Sequence, residues 1–336
     1  IHLQMPIIPQ KFTPTAAQVE ILILSSDTLD EENLPLTTWK NWSSHKSAPT
    51  KFVIETQNFG MRAKLPIFTL PRLQDMTFPE SFQCRQTAVE EWRRRARDVY
   101  LKTLGPQLPA APFNMAVIAT EDRGSYEALK IAWNISTYER IKSYLLVPKA
   151  PAQKPGIIAL HDHGARFSIG KEKVVRPFDE PPERIADAQE WVNKYYGGRW
   201  IGDELAARGY VVLAIDALFW SDRGRAEGHE YEAQQELAAN LFQLGMTWAG
   251  KIVWDDVRSA EFLQSIPEVS PEQIGCIGLS LGGHRTWSLA AATDIVRAGA
   301  AICWLADSAS LMSEGNNQTR GQSSFSMIHP GLRNAL

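Results

Sequence analysis

The residues best suited to chemistry lie in one short segment, residues 273–292, which read QIGCIGLSLGGHRTWSLAAA. Gly278, Ser280 and Gly282 have the spacing of the G-x-S-x-G pattern, in which a serine on a strand-to-helix turn projects its hydroxyl above a sheet. A hydroxyl in that position can attack an ester or amide carbonyl once a histidine removes its proton. We therefore take Ser280 as the candidate nucleophile.

The sequence around Ser280 supplies the strand and the helix that this turn requires. Residues 274–277 are apolar and favour a buried strand, and residues 287–292 favour a helix. The N–H of Leu281 opens that helix and is expected to face a developing oxyanion. The alternative is a glycine-rich turn that carries a bystander serine.

A second segment, GIIALHDHG at residues 156–164, reads as a buried strand followed by a loop. The loop residues His163, Gly164 and Ala165 are expected to contact the substrate and to supply a second oxyanion donor. We take the N–H of Ala165 as that donor, and Gly164 allows the backbone to come close. His161, Asp162 and His163 also suggest a metal, but no further ligands follow at a suitable spacing, so neither a metal nor another cofactor is predicted.

The histidine base and the carboxylate that a serine nucleophile requires are harder to identify. His284 lies on the helix behind Ser280, and His329 could reach the site only if the chain folded back over the sheet. Asp307 follows a predicted strand and could serve as the acid in a shifted arrangement. We expect the chain to stop short of the natural C-terminus and to lack both groups.

The elements around these segments predict an α/β protein with a mostly parallel sheet flanked by helices. We expect an irregular N-terminal segment at 1–80 and one domain at 81–336. Asp216, at the end of a predicted strand, is expected to bond loop amides. The predicted helices lie at 86–104, 200–208, 230–244 and 251–266, and the predicted strands lie at 113–121, 125–135, 141–147, 157–160, 210–215, 274–277 and 299–305.

The overall composition gives no support to a partner bound by charge. With 35 basic and 38 acidic residues the net charge is -3, so neither nucleic acid nor an anionic membrane is favoured. No apolar run approaches the roughly 18 residues of a membrane span. Cys276 and Cys303 lie in predicted buried strands, which leans towards a cytoplasmic location. The oligomeric state is left open.

Four segments together resemble the dienelactone-hydrolase-like and acetyl-xylan-esterase-like branch of the α/β-hydrolases. They are LHDHGARFSIGKEK, DELAARGYVVLAIDALFWSDRG, IGCIGLSLGGHRTW and TRGQSSFSMIHPGL. The resemblance spans residues 85–336 and implies an α/β-hydrolase fold. It matches Ser280 to the nucleophile, Leu281 to one oxyanion donor and the loop 163–165 to the other. Dienelactone hydrolases carry cysteine at the nucleophile position, whereas this chain carries serine.

The residues and the resemblance together predict a serine hydrolase that cleaves carboxylic esters through an acyl-enzyme. The expected substrate is a small-molecule or carbohydrate ester of the acetyl xylan type. One alternative is a serine peptidase of the prolyl-oligopeptidase type, which would need a large leading domain. The other is a non-catalytic, hydrolase-like binding module, which becomes the expectation if the natural chain ends at Leu336.

Overall fold

The computed structural model describes residues 78–82, 87–150, 152–304 and 325–332, together with Arg72 and Asp75. The chain divides into two units, Ile1–Asp75 and Met76–Leu336, and nearly all described residues belong to the second. The expected irregular segment 1–80 lies almost wholly outside the described residues, and its boundary stays a prediction. In the part of the chain that is described, no helix is both long and apolar enough to cross a membrane.

Seven strands form one mixed sheet in the order β1-β2-β3-β5-β4-β6-β7. Antiparallel pairing joins β1, β2, β3 and β5 in turn, and parallel pairing joins β5, β4, β6 and β7. Parallel strands are thus confined to the half of the sheet that carries the candidate nucleophile. The strands are β1 (Ala116–Asp122), β2 (Tyr126–Asn134), β3 (Arg140–Pro148), β4 (Lys154–Leu160), β5 (Val211–Ile215), β6 (Val269–Leu279) and β7 (Val296–Ile302).

Helices cover this sheet because its central strands are apolar on both faces. All five residues of β5 are buried, because β3 and β4 flank this strand and helices cover the sheet. On one side, Trp133 of β2 stacks on Phe262 with ring centroids 4.4 Å apart. The helices are α1 (Val89–Thr103), α2 (Pro182–Tyr195), α3 (Ile201–Ala207), α4 (Tyr231–Gln243), α5 (Trp248–Gln264) and α6 (Leu281–Ala292).

Most predicted elements are present within a few residues of their expected ends. The helix α2 was missed, because it buries only Ala188 and Val192 and so shows little apolar periodicity. The last strand was predicted at 299–305 as buried, and this is wrong. It lies at Val296–Ile302 on the edge of the sheet and is mostly exposed.

The cysteine prediction was half correct. Cys276 is buried in β6, as expected, whereas Cys303 is exposed beyond the end of β7. Among the described strands β7 has a neighbour on one side only, which leaves the residues at its end exposed. Asp307, considered as a catalytic acid, lies outside the described residues.

Candidate active site

Ser280 occupies a strained turn between β6 and α6. Its backbone angles are φ 56° and ψ -117°, a combination that a residue with a side chain rarely adopts. The turn is fixed on both sides, because the Ser280 N–H donates to the Ile302 carbonyl at 2.9 Å and its carbonyl accepts from the His284 N–H at 2.9 Å. The side chain is half-buried. Sharp strand-to-helix turns of this kind present a hydroxyl at the upper edge of a sheet.

The two glycines of the pattern are required by close backbone contacts. A Cβ on Gly278 would lie 2.4 Å from the carbonyl carbon and oxygen of Gly282. A Cβ on Gly282 would lie 2.1 Å from the carbonyl oxygen of Leu160, the last residue of β4. The N-terminus of α6 therefore presses against the end of β4, where the loop 161–165 begins. The structure thus brings the nucleophile turn and the proposed oxyanion loop to the same edge of the sheet.

The start of α6 offers backbone donors beside Ser280. Leu281 is the first residue of the helix, and its N–H has no acceptor among the described residues. The first N–H groups of a helix lack partners within the helix and carry the positive end of its dipole. The Leu281 side chain is fully buried in a hydrophobic cluster that includes Trp220, Trp248 and Phe167, which holds this turn in place. The position is suited to stabilising a developing oxyanion.

His161 has a structural role at the end of β4. Its Nε2 accepts the Ala217 N–H at 3.0 Å, so the ring proton sits on Nδ1 and is donated to the Asp162 carbonyl at 2.9 Å. Complete burial, together with the positive charge of Arg285, holds the pKa of His161 well below its usual value. A neutral ring with both nitrogens engaged links the loops that follow β4 and β5.

The loop after His161 takes two successive left-handed residues, Gly164 at φ 53° and Ala165 at φ 53°. A Cβ on Gly164 would lie 2.1 Å from the Trp191 ring, so only glycine fits there. The Ala165 N–H donates to His163 Nδ1 at 3.0 Å. The Ala165 amide is thus engaged within the loop, and it could bind an oxyanion only if the His163 ring moved away.

The side chain of Asp162 ties this loop to α2. Its Oδ1 accepts hydrogen bonds from Trp191 Nε1 at 3.1 Å and from the Tyr196 hydroxyl at 2.8 Å. Burial, reinforced by the charge of Asp162, raises the pKa of Tyr196 far above its usual value, so this hydroxyl remains a donor. None of these contacts could be found from the sequence, because α2 itself was missed.

Among the described residues, neither His284 nor His329 makes a ring-nitrogen hydrogen bond to the Ser280 hydroxyl. The His284 ring stacks on His329, with ring centroids 5.0 Å apart and planes 12° apart. Both rings are buried, and burial lowers the pKa of His329 to about 4. Among the residues that the structure describes, no histidine side chain forms a hydrogen bond with Ser280 Oγ.

The elbow helix is anchored by a fully buried ion pair that was not anticipated. Arg285 of α6 donates from Nε to Asp256 Oδ2 at 2.9 Å and from Nη2 to Asp256 Oδ1 at 2.6 Å. Both side chains are completely inaccessible. This bidentate pair joins α6, the helix that begins after Ser280, to α5. Arg285 lies close to the nucleophile in the sequence, but no sequence pattern identified Asp256 as its partner.

Asp216 has the structural role that was predicted for it. Its Oδ1 accepts the Lys171 N–H at 2.7 Å, and its Oδ2 accepts from Lys171 Nζ at 2.8 Å. The same ammonium bonds Glu172 and Asp222 at 2.8 Å each. Oxygens of Glu172, Glu180 and Asp222 lie within 4.8 Å of one another, as a cation site would require. The cationic groups of Lys171 and Arg184 already bind these carboxylates, so the cluster is a salt-bridge network.

A cleft of about 760 Å³ opens beside the loop 161–165. Its walls combine aromatic rings with charged and hydroxyl groups, and the rings of Phe167 and His229 stack at 5.5 Å. Phe167 also belongs to the packing cluster that contains Leu281. The other lining residues include Arg166, Ser168, Arg184, Asp187, Ser221 and Arg225. Trp220 and Trp248 are fully buried and cannot stack on a sugar.

Comparisons with known proteins agree with this architecture. The dienelactone hydrolase family matches residues 189–321, a span that includes the nucleophile turn. The chain is similar to "Putative hydrolase YtaP" of Bacillus subtilis (strain 168), with 25% identity over 231 residues, which are 68% of this chain and 70% of that protein. It is also similar to the crystal structure of a putative acetyl xylan esterase from Bacteroides fragilis. There the TM-score is 0.63 and the identity 15%, over 79% of this chain and 68% of that chain. The predicted α/β-hydrolase fold is confirmed, and the family match supports a hydrolase.

Proposed function

We propose that the chain, which has an α/β-hydrolase fold and whose residues 189–321 match the dienelactone hydrolase family, is a serine esterase. The observation that carries the proposal is the left-handed backbone of Ser280, at φ 56° between a parallel strand and a helix. Strain at a non-glycine residue needs surrounding structure to maintain it, and it concentrates at catalytic positions.

The reaction proceeds in two steps through an acyl-enzyme. Ser280 Oγ loses its proton to a base and attacks the ester carbonyl, whose oxygen becomes an oxyanion facing the Leu281 N–H and the loop 163–165. The alcohol leaves with a proton, and the acyl group stays on Oγ. Water then attacks the same carbonyl, releasing the carboxylic acid and restoring the hydroxyl.

The proposed substrate is a carboxylic ester of a carbohydrate. Two observations support this choice. The cleft beside the loop is lined by hydrogen-bonding groups and the Phe167 ring, a combination that suits hydroxyl-rich ligands. The similar structure from Bacteroides fragilis is named as a putative acetyl xylan esterase. Esters are favoured over lactones of the dienelactone type because the nucleophile is serine and not cysteine.

The proposal requires a base. The described residues supply no histidine to Ser280 Oγ, so the base has to come from outside them. The same observation favours a second candidate, a hydrolase-like binding module without activity. A folded, full-length protein that turns over no ester would favour the binding module.

Replacing Ser280 with alanine tests the assignment. We expect hydrolysis of p-nitrophenyl acetate by the full-length protein to fall to the uncatalysed rate in the Ser280→Ala variant. The matched control is Ser288→Ala, which removes a buried hydroxyl from the same helix. Retained turnover in Ser280→Ala would overturn the assignment. Faster cleavage of a peptide p-nitroanilide than of the ester would favour the peptidase.

A further inference from the structure

Lys173 lies fully buried beneath the loop that follows β4, and no role was predicted for it. Its Nζ donates to the carbonyl of Asp162 at 3.0 Å and to the carbonyl of His163 at 3.1 Å. Asp162 Oδ2 is 3.6 Å away, and the Trp191 ring centroid is 5.1 Å away. Burying an ammonium is costly unless its hydrogen bonds are made. Here two of those bonds go to consecutive backbone carbonyls of one loop.

These two bonds fix the directions of two peptide N–H groups. A trans peptide is planar, so its C=O and its N–H point in opposite directions. With the Asp162 carbonyl aimed at Lys173, the His163 N–H points away from Lys173. With the His163 carbonyl aimed at Lys173, and also accepting from Trp220 Nε1 at 3.2 Å, the Gly164 N–H points away as well.

The next amide of the loop behaves differently. The Ala165 N–H is taken by His163 Nδ1 at 3.0 Å. The Gly164 N–H has no acceptor among the described residues, and Gly164 is exposed. Gly164 also carries no side chain that could block a ligand approaching its backbone. The Gly164 N–H, and not the Ala165 N–H, is therefore available to donate a hydrogen bond to a ligand.

We propose that Lys173 is a positioning residue that aims the peptide N–H group of Gly164 at the substrate oxyanion, as the donor opposite Leu281. The inference rests on the proposed serine esterase. It moves the second donor one residue back from Ala165.

The test compares two buried lysines that make the same kind of contact. Lys173→Met removes the donor beneath the loop. Lys154→Met is the matched control, because Lys154 is also buried and its Nζ bonds the carbonyls of Ala150 and Ala152 at the opposite end of β4. Loss of one oxyanion donor typically lowers kcat by about 10²–10³-fold. We expect about 10²-fold lower kcat for Lys173→Met on p-nitrophenyl acetate, with KM within about threefold, and unchanged kcat for Lys154→Met.

The outcome separates positioning from support of the fold. Unchanged kcat in a folded Lys173→Met protein would overturn the inference, and so would equal losses in both lysine variants. If Lys173→Met does not fold, Lys173→Gln decides, since it keeps a neutral side-chain N–H donor but shortens its reach to the carbonyls of Asp162 and His163. A lower kcat at constant KM then supports the inference, and an unchanged kcat refutes it. Activity in Ser280→Ala would instead refute the proposed esterase, so the two failures are distinguishable.

Discussion

The buried pair of Arg285 and Asp256 makes the sharpest prediction about what holds the nucleophile turn in place. Both side chains have zero accessibility, and two charge-assisted hydrogen bonds of 2.9 and 2.6 Å join them. Removing either partner leaves the other charge buried, which costs about 3–5 kcal/mol. Replacing both by apolar side chains of similar shape removes the uncompensated charge. We therefore expect Arg285→Met and Asp256→Leu to cost about 3–5 kcal/mol each and the double variant to cost less than their sum.

The assay is a double-mutant cycle on the free energy of unfolding, measured by urea denaturation at pH 7.5. The coupling energy should be about 2–3 kcal/mol. The exposed pair Glu204 and Arg208 is the control, with an Nη1–Oε2 distance of 2.8 Å but side chains 40% and 60% exposed. Its coupling should be about 0.3–0.5 kcal/mol. Additive costs for Arg285 and Asp256 would refute the view that this pair anchors α6 to α5.

Two further predictions concern Gly282 of α6 and His329, whose ring stacks on His284 of the same helix. Gly282→Ala should destabilise the protein by about 3 kcal/mol in thermal unfolding, because its Cβ would meet the Leu160 backbone at 2.1 Å. Gly124→Ala, with only a positive φ to overcome, should cost about 1 kcal/mol, and equal costs would contradict the clash. The pKa of His329 is lowered to about 4, so the stability it contributes is full above pH 6.5 and falls as the pH approaches 4. His329→Phe should retain about 2.5 kcal/mol more than wild type at pH 4.5 in urea titrations referenced to pH 7.5, whereas equal acid losses would contradict this.

Local sequence patterns were enough to predict the nucleophile turn and most elements of the sheet. The run at 274–277, the glycine spacing around Ser280 and the helix after it each depend on residues within a few positions of one another. Their physical cause is equally local, since Gly278 and Gly282 meet each other across the turn. The end of β5 was also predictable, because Asp216 follows a run of buried aliphatic residues and bonds the backbone N–H of Lys171.

Contacts between distant segments were not predictable in the same way. The sequence GKEK at 170–173 is typical of a solvated loop, yet Lys171 and Lys173 are fully buried. Lys171 bonds Asp216 at the end of β5, and Lys173 bonds a backbone carbonyl of the loop 161–165 after β4. Arg285 gave no sign of its partner 29 residues earlier in the chain. The exposure of β7 depends on its place at the edge of the strand order, which the pattern of its own residues does not reveal.

The central claim is that Ser280 is the nucleophile, and covalent trapping tests it most directly. A fluorophosphonate reacts with an activated serine to give a stable adduct, because the attacking oxygen forms the P–O bond and fluoride leaves. Intact-mass and peptide-mass measurements on the full-length protein should show one adduct, located on Ser280 and absent from Ser280→Ala. An adduct on another residue, or none on a folded protein that hydrolyses p-nitrophenyl acetate, would contradict the claim.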